Sequence, residues 1–304
     1  MMILIVGGTG ALGSATTEKL LAQNTAVRVM TRNPIKAQAL QALGAEVVQG
    51  DLRDRDSLLR ACQGVNAIMA SAHSIMGRGS EASKYIDEQG HKWLMEAAKT
   101  AGVWQFVYVS ALGAAPDNPV PFFRIKYKME QTLRSSGLPF TILRPTAFME
   151  SHAYDFIGKP VLETGKVQLF GQGENPRNFV AAADVAYFAV RALLEPDLAG
   201  EVLEIGGPEN LTNMQVVRLF EEIAGKKASV SHVPLAMLRV MAPVASPFNS
   251  GLSQIIQTSI WQDTTDQTFD PSALLRRYPV TLTRLEDWAR SHITSDRLVT
   301  AGSM

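Results

Sequence analysis

The residues GGTGALG, at positions 7–13, have the types and spacing to bind a phosphorylated ligand. Gly8, Gly10 and Gly13 satisfy G-x-G-x-x-G, and Gly7, Gly10 and Gly13 satisfy a seven-residue variant. The run follows the apolar MILIV and opens the amphipathic SATTEKLLAQ, so it sits between a strand and a helix. There the early glycines allow a tight turn, Gly10 lets the main chain approach a diphosphate, and Gly13 lets the helix pack closely on the strand. The amides of Gly7, Gly8, Thr9, Gly10, Ala11, Leu12 and Gly13 then face the anion at a helix N-terminus. A second group lies at FFRIKYKME (122–130), where Phe122 and Lys126 are four residues apart and share a helical face. Phe122, Ile125, Met129 and Leu133 form its apolar stripe. Pro121 suits the first helical position, and Gly137 lies just past the end. An ammonium held there would stabilise developing negative charge. No G-x-S-x-G elbow suggests a hydrolase, and the histidines show no metal-ligand spacing.

These groups need a scaffold, and the first half of the chain supplies its pattern. Short apolar runs at 2–8, 26–32, 45–51, 67–72, 104–110 and 140–145 alternate with amphipathic stretches long enough for crossover helices. This predicts an α/β fold, a Rossmann-type doubly wound parallel sheet, with a dinucleotide-binding domain over 1–145. After Pro145 turns and glycines become denser, and 146–304 reads as a smaller, mainly C-terminal substrate-binding region. A strand near 201–207 is expected to return to the main sheet. LTNMQVVRLFEEIAG predicts a helix capped by Thr212, LTRLEDWARSHI predicts a last helix, and the terminal TSDRLVTAGSM predicts frayed chain.

Composition narrows the function classes. The chain has 304 residues, with 29 Lys+Arg against 29 Asp+Glu and no basic block. That argues against direct nucleic-acid binding, which needs a concentrated positive face. The single cysteine, Cys62, cannot form an internal disulfide, and no apolar run reaches the roughly 18–20 residues that cross a bilayer. The expectation is a cytoplasmic protein with no membrane partner.

The end of the second strand bears on which dinucleotide is bound. An acid there would bind the ribose hydroxyls of NAD, whereas arginine accepts a 2′-phosphate. Thr31-Arg32-Asn33 stands there, with Lys36 one turn on, so NADP(H) is favoured over NAD(H); a solvated arginine is the alternative. Asp51 and Leu52 are placed to border the adenine, although Asp51 could instead be a helix N-cap. Ala70 and Ser71, closing the fourth strand, belong to the same coenzyme wall. Pro145, Thr146 and Phe148, around the end of the sixth strand, are placed to border the nicotinamide, with core packing as the alternative for Phe148. His152 and Tyr154 follow in a segment expected to face a substrate pocket.

With GGTGALG, the strand-two arginine, VVQGDLRD, FVYVSALGA, LPFTILRPTAFME, FVAAADVAYFAV and VLEIGGPENLT in order, the chain resembles the atypical short-chain dehydrogenase/reductase superfamily. Within it, the chain is most similar to the NmrA-like NAD(P)H-binding branch, up to about Ile293. The resemblance implies that Ser110 and Lys126 match the superfamily's catalytic serine and lysine, with Lys126 bonded to the nicotinamide ribose. It also puts Phe122 where tyrosine is usual. A solvated Lys126 paired with Glu130 is the alternative, and a turn-forming role is the alternative for Ser110. Phenylalanine cannot donate a proton, so ordinary ketone chemistry is disfavoured. A quinone, an enone or a cationic dye needs that proton less.

Two functions follow. One is a reductase taking hydride from NADPH to a small electron-poor substrate. The other is a catalytically silent NAD(P)H sensor that binds a regulatory protein partner, with 113–121 and 152–160 as its movable parts. A homodimer fits either.

Overall fold

The computed structural model describes residues 1–246 and 248–301. They form two compact units: residues 1–145, 185–204 and 243–255, and residues 146–184, 205–242 and the chain from 256 onward.

The first unit alternates strands and helices: β1 (Met2–Val6), α1 (Ala11–Ala22), β2 (Ala26–Thr31), α2 (Gln38–Ala42), β3 (Glu46–Gln49), α3 (Arg55–Cys62), β4 (Ala67–Ala70), α4 (His91–Ala101), β5 (Gln105–Val109), α5 (Pro121–Arg134) and β6 (Phe140–Pro145). Later in the chain come β7 (Ala147–Phe148), α6 (Lys159–Thr164), β8 (Lys166–Phe170), β9 (Arg177–Val180), α7 (Ala182–Leu194) and β10 (Val202–Ile205). The order continues with β11 (Asn210–Leu211), α8 (Asn213–Ala224), β12 (Ser229–Val233), α9 (Leu235–Ala245), α10 (Ser250–Thr264), α11 (Ser272–Arg277) and α12 (Leu285–Ala301).

Seven strands form the main sheet in the order β10-β6-β5-β4-β1-β2-β3. The pairs from β6 through β3 are parallel. The Ile142 N–H donates to Glu201 O at 3.0 Å and the Thr146 N–H to Ile205 O at 2.9 Å, so β10 also runs parallel to β6. That pairing holds residues 185–204 in the first unit, and β10 stands where a strand near 201–207 is expected to return to the main sheet. Strands buried on both faces read as unbroken apolar runs, and Ile3, Leu4, Ile5, Ala67, Ile68, Met69 and Ala70 are all buried. The strand order reverses between β1 and β4, where α/β sheets bind ligands at the carboxyl ends of their strands.

The second unit contains a three-stranded sheet, β11-β9-β7, and a parallel pair, β12-β8. Thr212 caps α8 through a reciprocal box with Gln215 (2.8 and 3.0 Å), and Gly225 closes it in a left-handed turn. Residues 152–160, expected as a movable part, lie in a π-helical segment over Met149–Gly158 and the start of α6. The stretch expected to fray continues as α12 through Ala301, and residues 302–304 lie outside the described ones. Among the described residues no helix is long and apolar enough to cross a membrane.

Candidate functional site

β1 ends at Val6 and the chain turns through Gly7 at φ +93°, a left-handed conformation that only glycine adopts at little cost. A Cβ on Gly7 would lie 2.6 Å from Ala72 N and 2.8 Å from Ser71 Oγ, because Ser71 closes onto Val6 O from the end of β4. A Cβ on Gly13 would lie 2.2 Å from Gly7 O. Thr9, Gly10 and Ala11 remain exposed, while Gly8, Leu12 and Gly13 are buried beneath them. No side chain caps the first turn of α1. The Gly10 N–H donates to Gly7 O at 3.1 Å, so it is not among the amides free to face an anion. The loop is a main-chain cradle at an uncapped helix N-terminus, which fits a diphosphate.

At the next strand ends Arg32 is exposed, and its guanidinium pairs with Glu81 at 2.5 Å. Lys36 is exposed nearby in sequence. Asp51 is held by Arg53 through a forked contact, the closest at 2.6 Å, and that hydrogen bonding is the main reason its carboxyl lies below the usual range. Asp51 is not the cap of α3; Asp54 is, accepting from the Asp56 and Ser57 N–H groups. Leu52 is buried against Gly90, and Ala70 is buried in β4.

The serine–lysine pair is wired differently from the expected arrangement. Lys126 is 2% exposed, so it is not a solvated surface lysine. Its Nζ donates to Val109 O at 2.9 Å and lies 5.0 and 5.4 Å from the centres of the Tyr108 and Phe122 rings. Burial depresses its pKa, against the opposing charges of Asp87 and Glu130. Glu130 does not pair with Lys126. Its carboxylate accepts from Arg144 Nε at 2.9 Å, from Arg144 Nη2 at 2.6 Å and from Ser110 Oγ at 2.5 Å. Arg144 comes from β6, and no i,i+4 rule on α5 reveals it. Ser110 thus spends its proton on Glu130.

Behind this pair lies a buried polar set absent from the sequence expectations. A π-helical segment, Lys84–Gly90, precedes α4 and presents Asp87, fully buried, whose Oδ2 accepts from the Ser74 N–H at 3.0 Å and from Ser83 Oγ. The His91 Nδ1–H donates to Ile86 O at 3.0 Å, and the ring packs edge-on against Tyr108, with 5.5 Å between ring centres. Burial, aided by the Lys126 charge, pushes the His91 imidazole down to about 4. Burial likewise raises the Tyr108 phenol. The remaining new group is His73, just beyond β4, which rests edge-on against Phe122 with 6.0 Å between centres. Its only sequence signal was its place at a strand's carboxyl end.

In the second unit the other expected residues divide. Thr146 donates to Asn178 Oδ1 at 2.9 Å, and Phe148 is half-buried in β7. Pro145, the end of β6 and part of the first unit, accepts from the Leu112 N–H at 2.9 Å. His152 contacts Ser151 Oγ at 2.9 Å. Tyr154 does not stand as an isolated pocket phenol: its ring packs with Phe220, Trp288 and His292, the last at 4.7 Å between centres.

A sequence profile described as the NmrA-like family matches residues 1–288. The chain belongs to the NmrA-like family. Relatives within reach of this NmrA-like chain include the NAD(P)H azoreductase of Xenophilus azovorans, 31% identical over 225 residues, which are 74% of this chain and 74% of that protein. The photosystem II assembly factor Ycf39 of Synechocystis sp. is 32% identical over 245 residues, 79% of this chain and 73% of that one. Among solved structures, the Escherichia coli NADPH-dependent quinone oxidoreductase complexed with NADPH superposes with a TM-score of 0.75 at 26% identity, covering 96% of this chain and all of that one. The Rossmann-like sheet is thus shared with a reductase solved in complex with NADPH.

Proposed function

We propose that the chain is an NADPH-dependent reductase of small electron-poor substrates, of which a quinone is the leading class and an enone or cationic dye the others. The observation that carries this reading is the pairing of a buried cation, Lys126, with a ring that has no acid, Phe122, four residues earlier. The glycine cradle would hold the coenzyme diphosphate, and the reduced nicotinamide supplies the hydride. Lys126 is too enclosed to offer much surface to a ribose hydroxyl. Its charge acts instead through the Val109 carbonyl and the two rings, favouring a reduced product that carries delocalised negative charge. The relatives named as azoreductase and quinone oxidoreductase support the same class. Purified protein should oxidise NADPH with at least one member of a panel of quinones, enones, azo dyes and triphenylmethane dyes. Background rates across the panel would remove the reading.

Arg32 would take the 2′-phosphate in exchange for Glu81, from which it must be released. An exposed ion pair is worth about 0–1 kcal/mol, so a charge-assisted phosphate contact outweighs it. Arg32→Ala should weaken NADPH binding about tenfold in calorimetry, the equivalent of about 1.4 kcal/mol, and leave NADH within twofold. Equal losses for both coenzymes would place the 2′-phosphate elsewhere.

One observation favours the second reading, a coenzyme-dependent binding module. On α9, Met237, Val240, Met241 and Val244 are exposed at helical spacing, and Phe248 is exposed just beyond. The Ycf39 relatives are named as assembly factors. Background turnover with every substrate, together with capture of a protein partner only when coenzyme is present, decides for that reading.

A further inference from the structure

We propose that His73 is the proton donor of the reductase, taking the part that Phe122 cannot play. The proposal rests on the reductase reading and adds to it a catalytic residue and a substrate preference.

A carbonyl-type substrate needs a proton as well as a hydride. A quinone that receives hydride from the reduced nicotinamide also gains a proton on oxygen, and the coenzyme leaves oxidised. The donor must reach the substrate and be reloaded from water. Most polar groups near Phe122 fail that requirement. Tyr108, His91 and Asp87 are fully buried, Lys126 is enclosed, and the Ser110 proton is committed to Glu130. His73 is exposed, and its ring stands against the Phe122 ring itself.

The protein also holds His73 in place. Asp87 accepts from the N–H of Ser74, the next residue, which ties the chain after β4 to the π-helical segment. Ser71 and Ala72 donate to Val6 O on the other side, at 2.9 and 3.2 Å. The imidazole is thus pinned between two main-chain anchors and braced by Phe122, which gives the phenylalanine a function of its own.

The charges facing His73 are Lys126 from α5 and Asp87 from the π-helical segment. His73 keeps solvent access, yet its ring is packed among protein groups, and that desolvation lowers its pKa most; Lys126 lowers it further, and Asp87 partly restores it. The protonated form therefore accumulates only below the ordinary histidine value. The quinone rate should rise as pH falls through that lowered midpoint and level off beneath it.

The test compares a quinone with a cationic triphenylmethane dye, whose charge is neutralised by hydride alone. His73→Gln should lower kcat with the quinone by about a hundredfold and flatten its pH profile. The loss with the dye should be at least about tenfold smaller. Adding Phe122→Tyr to His73→Gln should recover at least about tenfold of the quinone rate. Separately, the imidazole signal of coenzyme-free protein that is missing in His73→Gln should titrate below 6.5. Equal losses with both substrates, no loss with the quinone, or a midpoint at or above 6.5 would overturn the proposal. Wild-type protein that binds NADPH but reduces neither substrate would remove the reductase reading and this one with it. Dye turnover with an undiminished quinone rate in the variant removes only this one.

Discussion

Replacing Gly13 with alanine should lower NADPH affinity by at least about a hundredfold, roughly 2.7 kcal/mol. The new Cβ would fall 2.2 Å from Gly7 O, 2.6 Å from Gly8 Cα and 2.8 Å from Gly7 C. All three are main-chain atoms of the loop that must hold the diphosphate, so no side chain can swing aside. Relief requires the cradle to open or α1 to move off β1, and either displaces the amides. Overpacking of this kind also costs about 1–3 kcal/mol of stability. Gly10→Ala provides the control, since a Cβ there meets only Gly7 O at 3.5 Å, an ordinary contact. Its unfolding in urea should match wild type while coenzyme binding falls, if the diphosphate approaches the main chain at Gly10 as proposed. Calorimetry and urea titration of both variants check the pair. Gly13→Ala protein that binds NADPH normally would mean that the diphosphate sits elsewhere.

The largest loss of stability should come from Arg144→Met, about 3–5 kcal/mol. Glu130 is fully buried, and both its oxygens depend on Arg144, with Ser110, among the described residues, as a further hydrogen-bond donor to it. Methionine fills the volume but leaves a buried carboxylate without its hydrogen-bonded countercharge, far costlier than replacing a whole ion pair by neutral groups. Arg144→Met with Glu130→Gln should therefore recover most of the loss, because the amide still accepts from Ser110 and carries no charge. Urea unfolding of the two singles and the double variant closes this cycle. A double variant no more stable than Arg144→Met would show that the pair contributes through packing rather than charge.

Much of this molecule is legible in local sequence. The glycine loop, the six alternating apolar runs and the capping box at Thr212 each depend on spacings of two to seven residues. The features that set the chemistry are not local. Arg32 meets Glu81 across 49 residues, and Glu130 meets Arg144 from a neighbouring strand. Spacing along α5 suggested Lys126 paired with Glu130, yet the sheet supplies a better partner for the acid and leaves the lysine to the Val109 carbonyl and two rings. His73 gave no periodic or motif signal at all. It became a candidate only when β4 and α5 brought it against Phe122.

The sequence alone determined the sheet, the glycine cradle and the phenylalanine at position 122, because backbone geometry and burial follow from short-range pattern. Tertiary structure alone decided which acid neutralises which base, and which ring stands beside Phe122. Those choices depend on side chains that meet through space, from strands and helices far apart in the chain, in a low-dielectric interior where each charge has a strong need for a partner.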